Sequence, residues 1–73
     1  MFNKIIKYVN NFVENEKFEI INFTFNKDCE FVCEVYFKDV DYNLLICFDD
    51  DKDKLSVYKQ YEEEDLFEEY INL

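Results

Sequence analysis

The chain has 73 residues, with 18 acidic side chains against 8 lysines, a formal charge of −10, and no arginine, histidine, glycine, proline, tryptophan or alanine. At average usage a chain of this length would carry about five glycines and about four prolines, so their absence excludes phosphate-cradling glycine loops, dinucleotide fingerprints and nucleophile elbows. Without histidine there is no default base near neutral pH, and without arginine there is no bidentate clamp for phosphate or carboxylate, so the composition predicts a non-enzyme with no catalytic residue and no cofactor.

A single domain over residues 1–73 is expected. A domain of about 60 residues buries only about 60% of its unfolded surface, and here nine phenylalanines and six tyrosines offset the small size with large side chains. Hydrophobic residues make up 49% of the chain, which excludes the low hydrophobicity of a disordered segment. The uncharged runs are far short of the roughly 20 residues that cross a bilayer, so no membrane association is expected. The segment from Met1 to Tyr8 has neither the apolar stretch nor the cleavage site of a signal peptide, which predicts the cytoplasm of a bacterial host. The three cysteines are an odd number, against a disulfide framework. Cys33 and Cys47 would face each other only across a three-residue loop Asp39-Val40-Asp41, and the apolar pattern prefers a register one residue away. All three are read as small hydrophobes.

In chain order, Phe2, Ile5, Ile6, Val9, Phe12 and Val13 repeat at the spacing of one helical face, which predicts a helix over residues 2–13 with Asn15 as its left-handed stop. From Phe18 the period changes to two. Ile21, Phe23 and Phe25 form one apolar row, and Phe31, Cys33, Val35 and Phe37 a second. A three-residue loop Asn26-Lys27-Asp28 would set Phe25 opposite Cys29, Phe23 opposite Phe31 and Ile21 opposite Cys33. A third strand is expected over Tyr42 to Phe48, with Leu44, Ile46 and Phe48 facing inward. Leu55, Val57, Tyr58 and Tyr61 fit a short helix or a fourth strand equally well. Leu66, Phe67, Tyr70 and Ile71 make a second helical stripe, which predicts a closing helix over about 62–72 with a break near Tyr61. The predicted class is α+β: an N-terminal amphipathic helix, an antiparallel sheet of three or four strands, and an acidic C-terminal helical segment.

The charge is uneven. Residues 49–73 hold ten acids and three lysines, a net −7, whereas residues 1–48 hold eight acids and five lysines, a net −3. The acids form two tracts, Asp49, Asp50, Asp51 and Asp53, then Glu62, Glu63, Glu64, Asp65, Glu68 and Glu69. Charge runs are usually solvated faces that keep a protein soluble. On a helix, Glu62 to Glu64 would suit the N-terminal dipole, while Glu68 and Glu69 would oppose it and form like-charge pairs with Glu64 and Asp65. Six carboxylates along such a helix would give about one charge per 2 Å, close to the roughly 1.7 Å of duplex DNA, so the tract could enter a basic groove in place of a phosphate backbone. Tyr61, Phe67 or Tyr70 would anchor such a contact. The spacing Asp49-x-Asp51-x-Asp53 matches the start of a calcium loop, but Lys54 stands where glycine is required and Gln60 where a bidentate glutamate is required, so no metal site is assigned.

The order of amphipathic helix, short antiparallel strands and the acid-loaded Tyr61-Glu62-Glu63-Glu64-Asp65-Leu66-Phe67-Glu68-Glu69-Tyr70 resembles the small phage-encoded anti-CRISPR proteins, above all those that block the type II RNA-guided nuclease. The resemblance implies an inhibitor whose acidic surface occupies the groove that reads the short DNA motif beside the target. Only the acidic positions carry over, as contacts with a basic groove. The expected partner is a basic nucleic-acid-binding protein, a CRISPR effector or other nuclease, a restriction enzyme or a repair glycosylase, with no direct binding of nucleic acid. Two alternatives stand beside this: an immunity protein that neutralises a basic nuclease toxin, and a structural or regulatory module whose acids only keep it soluble.

Overall fold

The structure, a computed structural model, describes residues 2–26, 32–49 and 51–73. One helix, α1 (Phe2–Glu16), precedes five strands, β1 (Ile20–Asn26), β2 (Val32–Phe37), β3 (Asn43–Asp49), β4 (Lys54–Gln60) and β5 (Asp65–Asn72). The strands form one antiparallel meander in sequence order, with β1 and β5 at its two edges. Among the described residues no helix is long and apolar enough to cross a membrane.

The predicted acidic C-terminal helix is not formed. The segment after Tyr61 is a turn followed by β5, residues 55–60 lie in β4, and the sheet has five strands rather than three or four. A bulge explains how β5 came to look helical. Tyr58 pairs with Phe67 but its neighbour Val57 pairs with Glu69, so Glu68 is inserted without a pairing position. The extra residue places Phe67 and Tyr70, three apart, on one face, and Leu66, Glu69 and Ile71 on the other, a spacing that imitates the helical repeat. The break near Tyr61 is present, as a turn in which the Tyr61 N–H donates to the Glu64 carbonyl at 2.8 Å.

A second bulge corrects the first strand. Ile20 faces Phe37 and Asn22 faces Tyr36, so Ile20 takes the half-buried place while Ile21, read as part of the inner row, is 64% exposed. The register also differs from the short-loop expectation, since Phe25 faces Cys33 and Phe23 faces Val35. That is a slip of four residues, an even number, so both apolar rows still share one face. Phe31, Cys29 and the loop between the strands lie outside the described residues. The expected third strand is one residue displaced, with Leu44 and Ile46 buried and Phe48 half-buried on its inner row. Cys33 faces Ile46, the register one residue away from a Cys33–Cys47 pairing.

The core lies between α1 and one sheet face. Ile5 and Val9 of the helix meet Cys33, Val35 and Phe37 of β2, Leu44 and Ile46 of β3, and Leu55 and Val57 of β4, all buried. Each aliphatic side chain there stabilises the fold by about 1.5–3 kcal/mol relative to exposure. The helix runs to Glu16 and stops at Lys17, whose φ of 59° makes it, rather than Asn15, the left-handed residue. Asp39 and Asp53 also take positive φ, so lysine and aspartate supply the turn conformations usually given to glycine. Around the last turns of the helix, the rings of Phe12, Phe18, Phe37 and Tyr42 pack with centroids 5.4–6.4 Å apart. This aromatic cluster ties the end of α1 to the β2–β3 hairpin, at the end of the sheet that also carries the β4–β5 turn.

Candidate interaction surface

An antiparallel meander sends alternate turns to opposite ends of the sheet, and this divides the predicted acidic site in two. Asp49, Asp51 and Asp53 belong to the β3–β4 hairpin at one end, where Asp50 lies outside the described residues. Glu62, Glu63, Glu64 and Asp65 belong to the β4–β5 turn at the other end. The seven residues of β4 separate the two groups by about 20 Å at roughly 3.3 Å per residue. The continuous line of charge expected of a helix is therefore absent.

At the β3–β4 end the acids serve the turn. The Asp49 carboxylate accepts the Asp51 N–H at 3.2 Å, and the Lys52 N–H donates to the Asp49 carbonyl at 3.3 Å. Lys52 and Lys54 stand over the Tyr70 ring at 4.7 and 5.4 Å, and the Lys52 ammonium donates to the Tyr70 hydroxyl, which raises the Lys52 pKa. A calcium loop needs irregular chain after its fifth position, whereas residues 54–60 are a strand. Among the described residues no group of acidic or sulfur ligands is arranged to hold a metal ion.

Glu68 and Glu69 lie on β5 and contact neighbouring elements. On a strand they have no helix dipole to oppose and no like-charge pair one turn away. The Glu68 carboxylate meets the Lys59 ammonium at 3.5 Å, and Glu69 accepts a hydrogen bond from the Tyr8 hydroxyl of α1. Burial first, and then Glu69, push the Tyr8 phenol well above its ordinary range. Lys59 also sits 5.2 Å over the Tyr42 ring; burial lowers its pKa, but the Tyr42 and Glu68 charges outweigh that and leave it raised.

The remaining end is the acidic pole. Here the β4–β5 turn stands beside the β2–β3 turn, so Glu62 and Asp41 line one open groove of about 480 Å³ together with Tyr36, Tyr42 and Tyr61. Its polar wall includes a paired amide, in which Asn43 Nδ2 donates to Gln60 Oε1 at 2.9 Å. Tyr42 and Tyr61 are 5.4 Å apart. Burial raises the Tyr42 pKa; the Lys59 charge pulls it down, and Glu16 pushes it up again. A neighbouring depression brings Glu16 and Glu19 beside Asp39, with Lys17 and Lys38 also in its lining. Among the described residues one ion pair lies in this part of the surface, Lys38 with Glu19 at 3.9 Å, both side chains largely exposed, and such pairs contribute little. Among the described residues no salt bridge engages Glu62, Glu63 or Glu64.

The structure thus keeps Glu62, Glu63, Glu64, Asp65 and Tyr61 together as one surface, sends Asp49, Asp51 and Asp53 to the opposite end, and sets Glu68 and Glu69 beside Glu16 in a depression lined by Tyr8 and Asn15. It adds Asp39, Asp41, Glu16 and Tyr42, which sequence spacing did not single out. The available signal was the meander itself, since consecutive antiparallel hairpins bring every second turn to the same end. The chain matches no protein family, no curated protein and no solved structure.

Proposed function

We propose that the protein is a non-catalytic inhibitor that uses its acidic pole to occupy the nucleic-acid-binding groove of a basic nuclease in the host cytoplasm. The reading rests on one observation: two turns distant in sequence deliver carboxylates that make no salt bridge among the described residues around a groove walled by tyrosines. Carboxylates on a rim attract a lysine- or arginine-lined surface over long range and raise the association rate. Tyrosines at the centre supply the rigid, amphipathic area that hot spots use. What imitates nucleic acid in this reading is an area of negative charge at one end of the sheet, in place of a charged helix. A type II RNA-guided effector nuclease, the target class of the anti-CRISPR proteins, is the first partner to test; a basic nuclease toxin, neutralised as by an immunity protein, is the alternative.

The experiment is a binding titration against a guide-loaded type II effector, with and without target DNA, between about 50 and 300 mM salt. Affinity falls steeply with salt, because screening acts over roughly 10 Å, and target DNA competes with the protein. The triple variant Glu62→Lys, Glu63→Lys and Glu64→Lys loses at least about 100-fold in affinity. Reversing Asp49, Asp51 and Asp53 at the far end costs less than about tenfold. Salt-independent affinity, or equal loss from both ends, defeats the proposal. Inhibition of a nuclease toxin that still holds its DNA moves the assignment to an immunity protein.

A further inference from the structure

The two edges of the sheet are chemically unlike. β5 carries Asp65, Glu68 and Glu69, and Lys4 of α1 donates to the Asn72 carbonyl at 3.0 Å, so this edge is charged and partly covered. β1 reads Ile20-Ile21-Asn22-Phe23-Thr24-Phe25-Asn26, with no charged residue in seven. An open edge presents a row of backbone donors and acceptors, and proteins normally protect it with lysine, proline or an inward-pointing charge. In a chain of net charge −10 a neutral edge strand is conspicuous. Its apolar side is continuous with Phe2, which is 54% exposed and lies 4.8 Å from Phe25, and Phe25 in turn lies 5.4 Å from Phe23.

We infer that β1 is the seam of a homodimer, in which two copies pair their β1 strands antiparallel about a two-fold axis through Thr24 and form one ten-stranded sheet. Beyond the bulge at Ile21, the regular part of the strand is the palindrome Asn22-Phe23-Thr24-Phe25-Asn26. Centred on Thr24, every cross-strand pair then joins like residues: Thr24 meets Thr24 of the partner subunit, Phe23 meets Phe25 of the partner subunit, and Asn22 meets Asn26 of the partner subunit. Aromatic pairs and threonine pairs are among the favourable cross-strand combinations. On the helix-facing side the phenylalanines of both copies, with Phe2 above each strand, make one apolar row across the seam.

Charge permits this arrangement. The acids of β5 lie four strand spacings from β1, about 19 Å, and the two Glu34 side chains, each opposite Thr24 on β2, stand three spacings apart, about 14 Å, beyond one Debye length of about 8 Å at physiological salt. Each β1 begins at the acidic pole, where Ile20 faces Phe37, so antiparallel pairing points the two poles to opposite ends of the seam. The acidic β5 edges terminate the sheet, and growth stops at two copies.

Sedimentation equilibrium of the full chain between about 5 and 500 µM tests the seam. The expected result is a shift from one to two copies with rising concentration, favoured by added salt, the opposite sign to the salt dependence of the basic partner. Thr24→Lys sets two like charges opposite each other and raises the dissociation constant at least about tenfold. Thr24→Val, a better strand former, retains the dimer, and Asn72→Lys at the far edge leaves it unchanged. A chain that stays monomeric throughout at 0.3 M salt overturns the inference. So does a Thr24→Lys protein with an unchanged circular dichroism spectrum that dimerises as the parent does.

Discussion

Cys33 is a single residue on which the stability of the core can be read. Its thiol is fully buried between Phe25 of β1 and Ile46 of β3. Burial, and secondarily the charge of Glu34, pushes it from 9.0 up to about 12. The folded state therefore holds the proton more tightly than the unfolded chain. Stability from this group is complete below pH 9 and is lost as the pH climbs from about 9 towards 12, at about 1.4 kcal/mol per pH unit while only the unfolded state ionises. Urea titrations at pH 8, 9, 10 and 11 should give a midpoint that falls across this window. Cys33→Ala should start lower, because it leaves a small cavity, and then decline less steeply, by one proton. Tyr8 also ionises above its ordinary range and contributes in both proteins, so the difference between them isolates Cys33. Equal slopes would mean that the thiol is already hydrated in the folded chain.

At the scale of the element, the two bulges decide which side chains reach the core. Ile20 packs against the core and Ile21 points away from it, although they are adjacent and chemically identical. Ile20→Ala should cost about 2 kcal/mol, the low end of buried isoleucine truncations, because the site is only half enclosed. Ile21→Ala should stay within about 0.5 kcal/mol, as exposed substitutions do. Urea denaturation at a few micromolar protein decides the matter, and reversed magnitudes would place Ile21 inside and remove the bulge. The same feature shows where sequence reading succeeded. The helix was legible because Ile5 and Val9 repeat without interruption, and the inner row of β3 because Leu44 and Ile46 alternate cleanly. β5 was illegible because one inserted residue, Glu68, turned a period of two into a local spacing of three. In β1 the insertion at Ile21 exchanged the faces of two isoleucines. A bulge leaves no mark in composition, and it alters every face assignment on one side of it. The candidate site suffered twice. Glu68 and Glu69 continue the row of Glu62 to Glu64 only on a helix that does not form, and Asp39 and Asp41 come near that turn only through the whole meander.

For the whole molecule, the acidic pole sets stability against function. Exposed like charges at one end of a small fold repel one another, so the native state is stabilised by screening, whereas a complex with a basic groove is weakened by it. Replacing Glu62, Glu63 and Glu64 with glutamine keeps size and hydrogen-bonding capacity and removes three negative charges from a turn held by the Tyr61–Glu64 backbone bond. The triple variant should melt roughly 2 to 5 °C above the parent at 20 mM salt. The difference should close near 0.5 M salt, where the Debye length is only about 4 Å. Its affinity for the basic partner should fall over the same low-salt range in which its stability rises. Calorimetry on both proteins at the two salt concentrations separates this account from its rival. If the glutamine variant melts at or below the parent temperature at low salt, the carboxylates hold the turn together and the pole is a structural feature. If it melts higher while binding is lost, the fold carries charges that its own stability opposes, which is the pattern expected of a surface kept for a partner.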